Sequence, residues 1–457
     1  MQTQAKQPQI TEGVIWKQLL IFFFPILLGT FFQQMYNTVD TIIVGRLVGT
    51  EALAAVGATG PLVNMTNGFF IGVSSGATVI LSQFYGAGDR KGVSDAVHTG
   101  VALSLLLGAM LTVLGVGLGA QVLGLMHMPE SCMEDAAVYI RIYFAGSVGT
   151  VVYNMGAGIL RAMGDSRRPM LFLLATCLLN VVLDLLFVAV LHMGVAGAAL
   201  ATILSQFISA ALPIIVLARM PQDRLELKKL RIDRVLLGRI LRIGVPAGLQ
   251  FVTFDFSNIL IQSGINSFGE VTMAAWTAHG KTDAFTWMIS GAFGVAITTF
   301  VGQNFGAQKY RRIRQGTWTC LAMSVALVGA VAAFLLTFRT QILGIYTDNP
   351  EVIAVGSFIM LSITPFNVIF MPIEVFAGTM RGVGNSLMPT LITGSCVCLF
   401  RVVWLMTVVQ RWHTLKMLTL SYPISWAIAA AAFFIVYFRG NWLSKRIEAC
   451  GMEPEVR

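Results

Sequence analysis

Residues 170–190 read MLFLLATCLLNVVLDLLFVAV, twenty-one positions of which eighteen are apolar and one, Asp184, is charged. A helix of that length spans about 30 Å, the thickness of a bilayer's hydrocarbon core, where water is absent and only a helix or a closed barrel satisfies its own backbone. The apolar residues surround the helix on every side, so the stretch reads as a membrane-crossing segment and not as an amphipathic surface helix. Eleven other stretches read the same way. The spans are 15–42, 53–80, 96–119, 135–158, 170–190, 195–218, 237–265, 273–300, 317–338, 352–378, 390–409 and 417–438. None shows the polar/apolar alternation of a barrel strand, so the expected fold is an all-α integral membrane protein of twelve transmembrane helices. Composition agrees: 56% of the 457 residues are hydrophobic and 12% charged, with mean hydropathy +0.75, against a usual charged share of about 25%. Too little charge is present to cover soluble domains.

The chain repeats itself. Gly158-Ile-Leu-Arg-Ala-Met-Gly-Asp-Ser-Arg-Arg-Pro169 recurs as Gly378-Thr-Met-Arg-Gly-Val-Gly-Asn-Ser-Leu-Met-Pro389, 220 positions later. Gln83-Phe-Tyr-Gly-Ala87 recurs as Gln303-Asn-Phe-Gly-Ala307 at the same offset, and Pro25 and Asn37 answer Pro246 and Asn258 at 221. Six helices per repeat is an even number, so both halves enter the membrane from one side and the repeat is parallel. The expected organisation is a tail over 1–14, an amino lobe over 15–218, a basic loop over 219–236, a carboxy lobe over 237–438 and a tail over 439–457. The first segment is read as a retained helix, because no small-residue cleavage site follows Phe32.

A formal net charge of +9 with pI about 9.4 raises the question of a nucleic-acid partner. Sorting charges by location answers it. With both termini cytoplasmic, inner loops and tails hold 24 Lys and Arg, and the outer loops only Arg46, Arg339, Arg411 and Lys416. The net charge is then +14 inside, −3 outside and −2 within the membrane. Topology explains the basic balance, and no nucleic acid is required.

Ionisable groups at bilayer depth are costly unless they face a polar cavity. The first segment carries Gln33, Gln34, Tyr36, Asn37 and Asp40, with Tyr36, Asn37 and Asp40 on one helical face. The fifth carries Asn180 and Asp184 one turn apart, and Thr202 lies on the sixth. Two carboxylates, an amide and a hydroxyl suit Na⁺, and the same carboxylate pair can carry a proton. The amides alone read as packing glue between helices, whereas the two aspartates read as functional. The second half has a different set: Asp255, Asn258, Gln262, Lys281, Asp283 and Glu374. Lys281 either neutralises an acid or meets substrate. Arg141 and Arg401 lie nearer segment ends and are expected to snorkel. Gly280-Lys281-Thr282 lacks the first glycine of a P-loop, and neither the histidines (His127 among them) nor the cysteines show metal-ligand spacing. No cofactor is expected.

Together, Asp40, the Gln-x-x-Gly-Ala pair and the Gly-x-x-Arg-x-x-Gly-[Asp/Asn]-Ser pair resemble the multidrug and toxic compound extrusion family over residues 14 to 440. Within it, Asp40, Asn180, Asp184 and Thr202 match the amino-lobe cation and proton cluster of the DinF-like branch. Pro25 matches the proline at which the first helix is thought to bend, and Gln34, Tyr139 and Asn154 match positions said to line the drug cavity. Asp255 and Glu374 do not align with the carboxy-lobe acidic pair of the NorM-like branch.

That resemblance implies two six-helix bundles forming a V, alternating access, and export of amphipathic, cationic small molecules by antiport with H⁺ or Na⁺. It also implies a multi-pass bacterial plasma-membrane protein acting as a monomer, with drugs or toxins and the bilayer as partners. Two rivals are a flippase for a lipid-linked precursor, which wants a cavity rich in Lys and Arg, and a membrane enzyme acting on lipids. The enzyme would want a clustered Ser/His or His/Asp constellation at the interface, and the sequence offers none.

Overall fold

The computed structural model describes residues 10–125, 130–221 and 224–449, and among these every regular element is helical. His127, Lys6 and the ends of both expected tails lie outside the described residues. The twelve expected spans are all present. They are α1 (Ile15–Leu47), α2 (Thr50–Ala87), α3 (Arg90–Leu125), α4 (Glu130–Ala145 then Ser147–Ala162), α5 (Arg167–Val190) and α6 (Gly194–Ala218). The second half holds α7 (Arg234–Asn266), α8 (Glu270–Gly306), α9 (Tyr310–Thr337), α10 (Pro350–Gly382), α11 (Leu387–Val409) and α12 (Leu415–Arg439).

Several spans are not the uninterrupted helices that hydropathy suggests. The two parts of α4 meet at 46°, with Gly146 at the break. A Cβ there would run into the Ile203 side chain of α6, so the corner needs glycine. In α10, Thr364–Phe366 tightens to a 3₁₀ turn around Pro365, whose ring nitrogen has no hydrogen to donate. The backbone stays helical through Pro25 and Pro246. Helices α5 and α11 loosen into π turns over Leu185–Val190, Gly394–Leu399 and Leu405–Val409.

The repeated motifs are turns between helices. Gly164 and Gly384 take φ of +100° and +89°, a region closed to most side chains, and so end α4 and α10 sharply. The next residue caps the following helix: the Arg168 amide donates to Asp165 Oδ1 at 3.0 Å, and the Met388 amide to Asn385 Oδ1 at 3.3 Å. Pro169 and Pro389 then fall in the first turn, where the missing N–H costs nothing.

By contacts the chain forms two compact units, Phe24–Gly248 and Ile10–Phe23 with Leu249–Arg457. The boundaries fall inside α1 and α7. In the first unit, Gly72 and Gly76 of α2 meet Gly244 and Gly248 of α7 so closely that a Cβ on any of the four would strike the other backbone. This is the small-xxx-small contact by which membrane helices pack. The core of this unit gathers Val97, Leu160 and Ile240, each fully buried. In the second, Phe293, Phe300, Phe376 and Trp426 are buried, and Phe23 stacks on Phe293 at 4.2 Å. Large apolar side chains such as Val113, Val182, Phe334 and Met406 stay exposed, as a lipid-facing belt requires.

Arg401 corrects one expectation. Far from snorkelling, it is 2% exposed. Its Nε donates to Ser425 Oγ at 2.9 Å and its guanidinium lies 3.9 Å from the Tyr422 ring centroid. The aromatic face and the hydroxyl of α12 supply inside the protein what the interface would have supplied outside. Arg141 is exposed. Outside the membrane, Glu226 is paired with Lys229, whose ammonium holds its carboxyl below the usual range.

Candidate functional site

The site is built on the stretch 170–190. Asp184 is the last residue of α5 before its π turn, and a π turn shifts the side chains beyond it relative to regular helix. Asn180 lies one turn earlier on the same face. Against them stand Thr202 of α6 and Asp40 of α1. All four are buried: Asp40 is 7% exposed, Asn180 and Thr202 1%, and Asp184 0%. Asp184 lies within electrostatic reach of Asp40, and Tyr36 within reach of both.

The buried oxygens have no partners. Asp40 Oδ1, both carboxylate oxygens of Asp184, both amide atoms of Asn180 and Thr202 Oγ1 make no hydrogen bond. An ionised carboxylate in that condition costs several kcal/mol. Such a site is stable when it holds protons or a small hard cation, and the donor set is all oxygen apart from the one amide nitrogen.

Beside the cluster is a pocket with about 520 Å³ of empty space, counting its open mouth. Asn180 and Thr202 of the cluster, with the neighbouring Tyr36, line this pocket, whereas Asp40 and Asp184 are not among its lining residues. Asn154 also lines it. From α1 it is Gln33 that reaches this pocket, while Gln34 and Asn37 sit on exposed positions of the helix. Tyr139 is buried, stacks on Tyr143 at 6.2 Å and lies within electrostatic reach of Asp40. The remaining wall includes a polar face of α6, Ser205, Gln206 and Ser209, with Gln206 Oε1 accepting from Thr150 Oγ1 at 2.6 Å. Thr202, Ser205, Gln206 and Ser209 recur at intervals of three and four, a helical period that hydropathy alone hides.

The second unit has no copy of the cluster: at an offset of 220, Asn180, Asp184 and Thr202 become Phe400, Trp404 and Tyr422. Glu374 accepts from Arg381 Nη2 at 2.8 Å, Asp255 is half-buried, and Lys281 is exposed. A group that the motifs did not reveal is Asp283, buried in α8. It accepts from Asn367 Nδ2 at 2.8 Å and from Trp287 Nε1 at 2.7 Å, with His279 one turn away. Among the described residues no three His, Cys, Asp or Glu are grouped as a metal site.

The MatE family profile matches the chain twice, at residues 25–186 and 246–407, an offset of 221 between two copies that each begin at a proline. Two Bacillus subtilis (strain 168) proteins resemble it over most of their length. The one named probable multidrug resistance protein YoeA is 28% identical over 97% of this chain and 98% of its own. The one named probable multidrug resistance protein YpnP is 27% identical over 97% and 99%. A crystal structure described as MATE in the bent conformation superposes with a TM-score of 0.89 at 24% identity, covering 98% of this chain and all of the other, a likeness of fold.

Proposed function

Since the chain belongs to the MatE family of multidrug transporters, we propose that it exports amphipathic, cationic small molecules by antiport with H⁺ or Na⁺, through the Asp40, Asn180, Asp184 and Thr202 cluster. The observation that carries this reading is the set of buried, unpartnered oxygens of Asp40, Asp184, Asn180 and Thr202, the last two of which also line a polar pocket. The arrangement is that of the DinF-like branch, with the ion site in the amino-terminal half.

Substrate enters from the cytoplasm while the two aspartates are ionised. Their negative charge favours a cation in the pocket, and the hydroxyls and amides of the wall meet its polar groups. Ions arriving from outside neutralise the aspartates, remove that attraction and release the substrate outward, with α1 rearranging at Pro25. Each charge moving inward gains about 2.3 kcal/mol per 100 mV, so one or two ions support an appreciable substrate gradient. The protein acts as a monomer in the bacterial plasma membrane with both termini cytoplasmic. Tyr36, Asn37 and Gln34 on α1, with Tyr139 and Asn154, shape the substrate path. The residues lining the pocket include no lysine or arginine, which a diphosphate-bearing lipid precursor would need.

The test is ion release from purified protein on adding a cationic drug, in Na⁺-containing and Na⁺-free buffer, together with efflux from proteoliposomes. Wild type releases protons or Na⁺, and Asp40→Asn binds drug without ion release and without coupled efflux. Full coupled efflux by Asp40→Asn sinks the proposal.

A further inference from the structure

The two copies of the Gly-x-x-Arg-x-x-Gly turn close helices with matching ends, Ser147–Ala162 and Asn367–Gly382. The neighbouring helix matches too. Thr78 Oγ1 donates to Ser74 O at 3.0 Å in α2, Thr298 Oγ1 donates to Gly294 O at 2.7 Å in α8, and a Cβ on Gly158 or Gly378 would press on that threonine. Within this common frame the charges differ. In the second unit Arg381 pairs with Glu374 at 2.8 Å, and Gly294 leaves the room, since a Cβ there would strike the carboxylate. In the first unit the arginine is kept as Arg161, but the positions of Glu374 and Gly294 are Asn154 and Ser74.

Arg161 therefore lacks the carboxylate its counterpart has. Among the described residues its side chain makes no hydrogen bond or ion pair, and its Nε is sealed from solvent. Ser74 Oγ, in a residue 4% exposed, is also without a partner. The end of α4 offers Arg161 a favourable helix dipole, a weak substitute for an anion. Asn154 lies on the pocket wall, and Arg161 follows it by two turns on the same helix face. The Glu374–Arg381 pair shows that groups at this spacing reach each other.

Resting on the efflux reading above, we propose that Arg161 and Ser74, which lie outside the pocket's own lining, join Asn154 of its wall in an anion subsite adjoining the pocket. It takes the carboxylate of a zwitterionic substrate whose cationic part lies toward Asp40 and Asp184. One guanidinium forks onto one carboxylate, and the amide and hydroxyl complete its hydrogen bonds. The second unit fills the equivalent place with its own glutamate and so needs no ligand there.

A matched pair of dyes tests this: rhodamine 19, which carries a free carboxylate, and its ethyl ester rhodamine 6G. Efflux of each is measured in proteoliposomes with wild type, with Arg161→Gln, and with the double variant Ser74→Gly, Asn154→Glu. The double variant grafts the second unit's ion pair and is expected to fold even if Arg161→Gln does not. Both variants are expected to raise the ratio of the KM for rhodamine 19 to the KM for rhodamine 6G about tenfold, whatever they do to the two in common. Equal effects of the double variant on the two dyes, or none on either, overturn the subsite while efflux of rhodamine 6G keeps the transport reading. Failure of wild type to move either dye sinks both.

Discussion

Thr202 stands where transport and stability pull in opposite directions. Its hydroxyl is buried on the pocket wall beside the cluster, near the Tyr36 hydroxyl but, among the described residues, without a hydrogen bond of good geometry. Thr202→Val keeps the shape and removes an unsatisfied polar atom, so the folded protein should gain about 1 kcal/mol, read as a higher melting temperature in detergent. The ion loses a ligand, and the concentration giving half-maximal efflux should rise several-fold. A variant that loses stability, or keeps wild-type ion dependence, removes Thr202 from the proposed site. Arg401 is a different kind of residue, held by α12 through its Nε and its stacked plane although its Nη2 has no hydrogen-bond partner. Arg401→Lys forfeits the planar stack on Tyr422 and the hydrogen bond to Ser425, and should cost about 1–2 kcal/mol in the same assay. Asp40 and Asp184 could be picked from sequence because charge at bilayer depth is conspicuous. Arg401 was misplaced because proximity to a segment's end says nothing about which neighbour shelters it, and Asp283 gained its meaning only when Asn367, 84 positions away, came beside it.

At the scale of elements, hydropathy located all twelve helices but none of their interruptions. A span is a sum over twenty side chains, whereas the break at Gly146 depends on one contact with Ile203 and the π turn after Asp184 on a single extra residue per turn. The motifs were legible as repeats before they were legible as structure: Asp165 and Asn385 proved to be helix caps. Asp165→Ala should therefore destabilise the start of α5 by about 1 kcal/mol, and Asp165→Asn, which copies the second unit, by much less. A comparison of melting temperatures checks this, and equal losses refute the cap. The α2–α7 contact is more demanding. Gly76→Leu places a side chain against Gly244 and the Ile240 carbonyl, so it should yield little folded protein on size-exclusion chromatography. Gly57→Leu, where a Cβ meets nothing within 4 Å, should behave as wild type.

For the whole molecule the repeat and the charge distribution carry most of what sequence could say, and each constrains the other. Two parallel six-helix halves put all even-numbered connections on one side, and that is the side where 24 Lys and Arg accumulate. The loop between the halves is the most basic of these. It is tied to α3 by an Arg231–Asp95 ion pair at 2.6 Å and by the Glu226 amide, which donates to His98 Nε2 at 3.1 Å. If positive charge sets orientation, this loop faces the cytoplasm and the α9–α10 connection, where Tyr346 is 46% exposed, faces outward. Single cysteines at Lys229 and Tyr346, in a background with the six native cysteines replaced, make the test direct. In intact cells a membrane-impermeant maleimide should label Tyr346→Cys at once and Lys229→Cys only after permeabilisation. The reverse pattern would invert the molecule and overturn the orientation read from the positive charges, with both termini then outside.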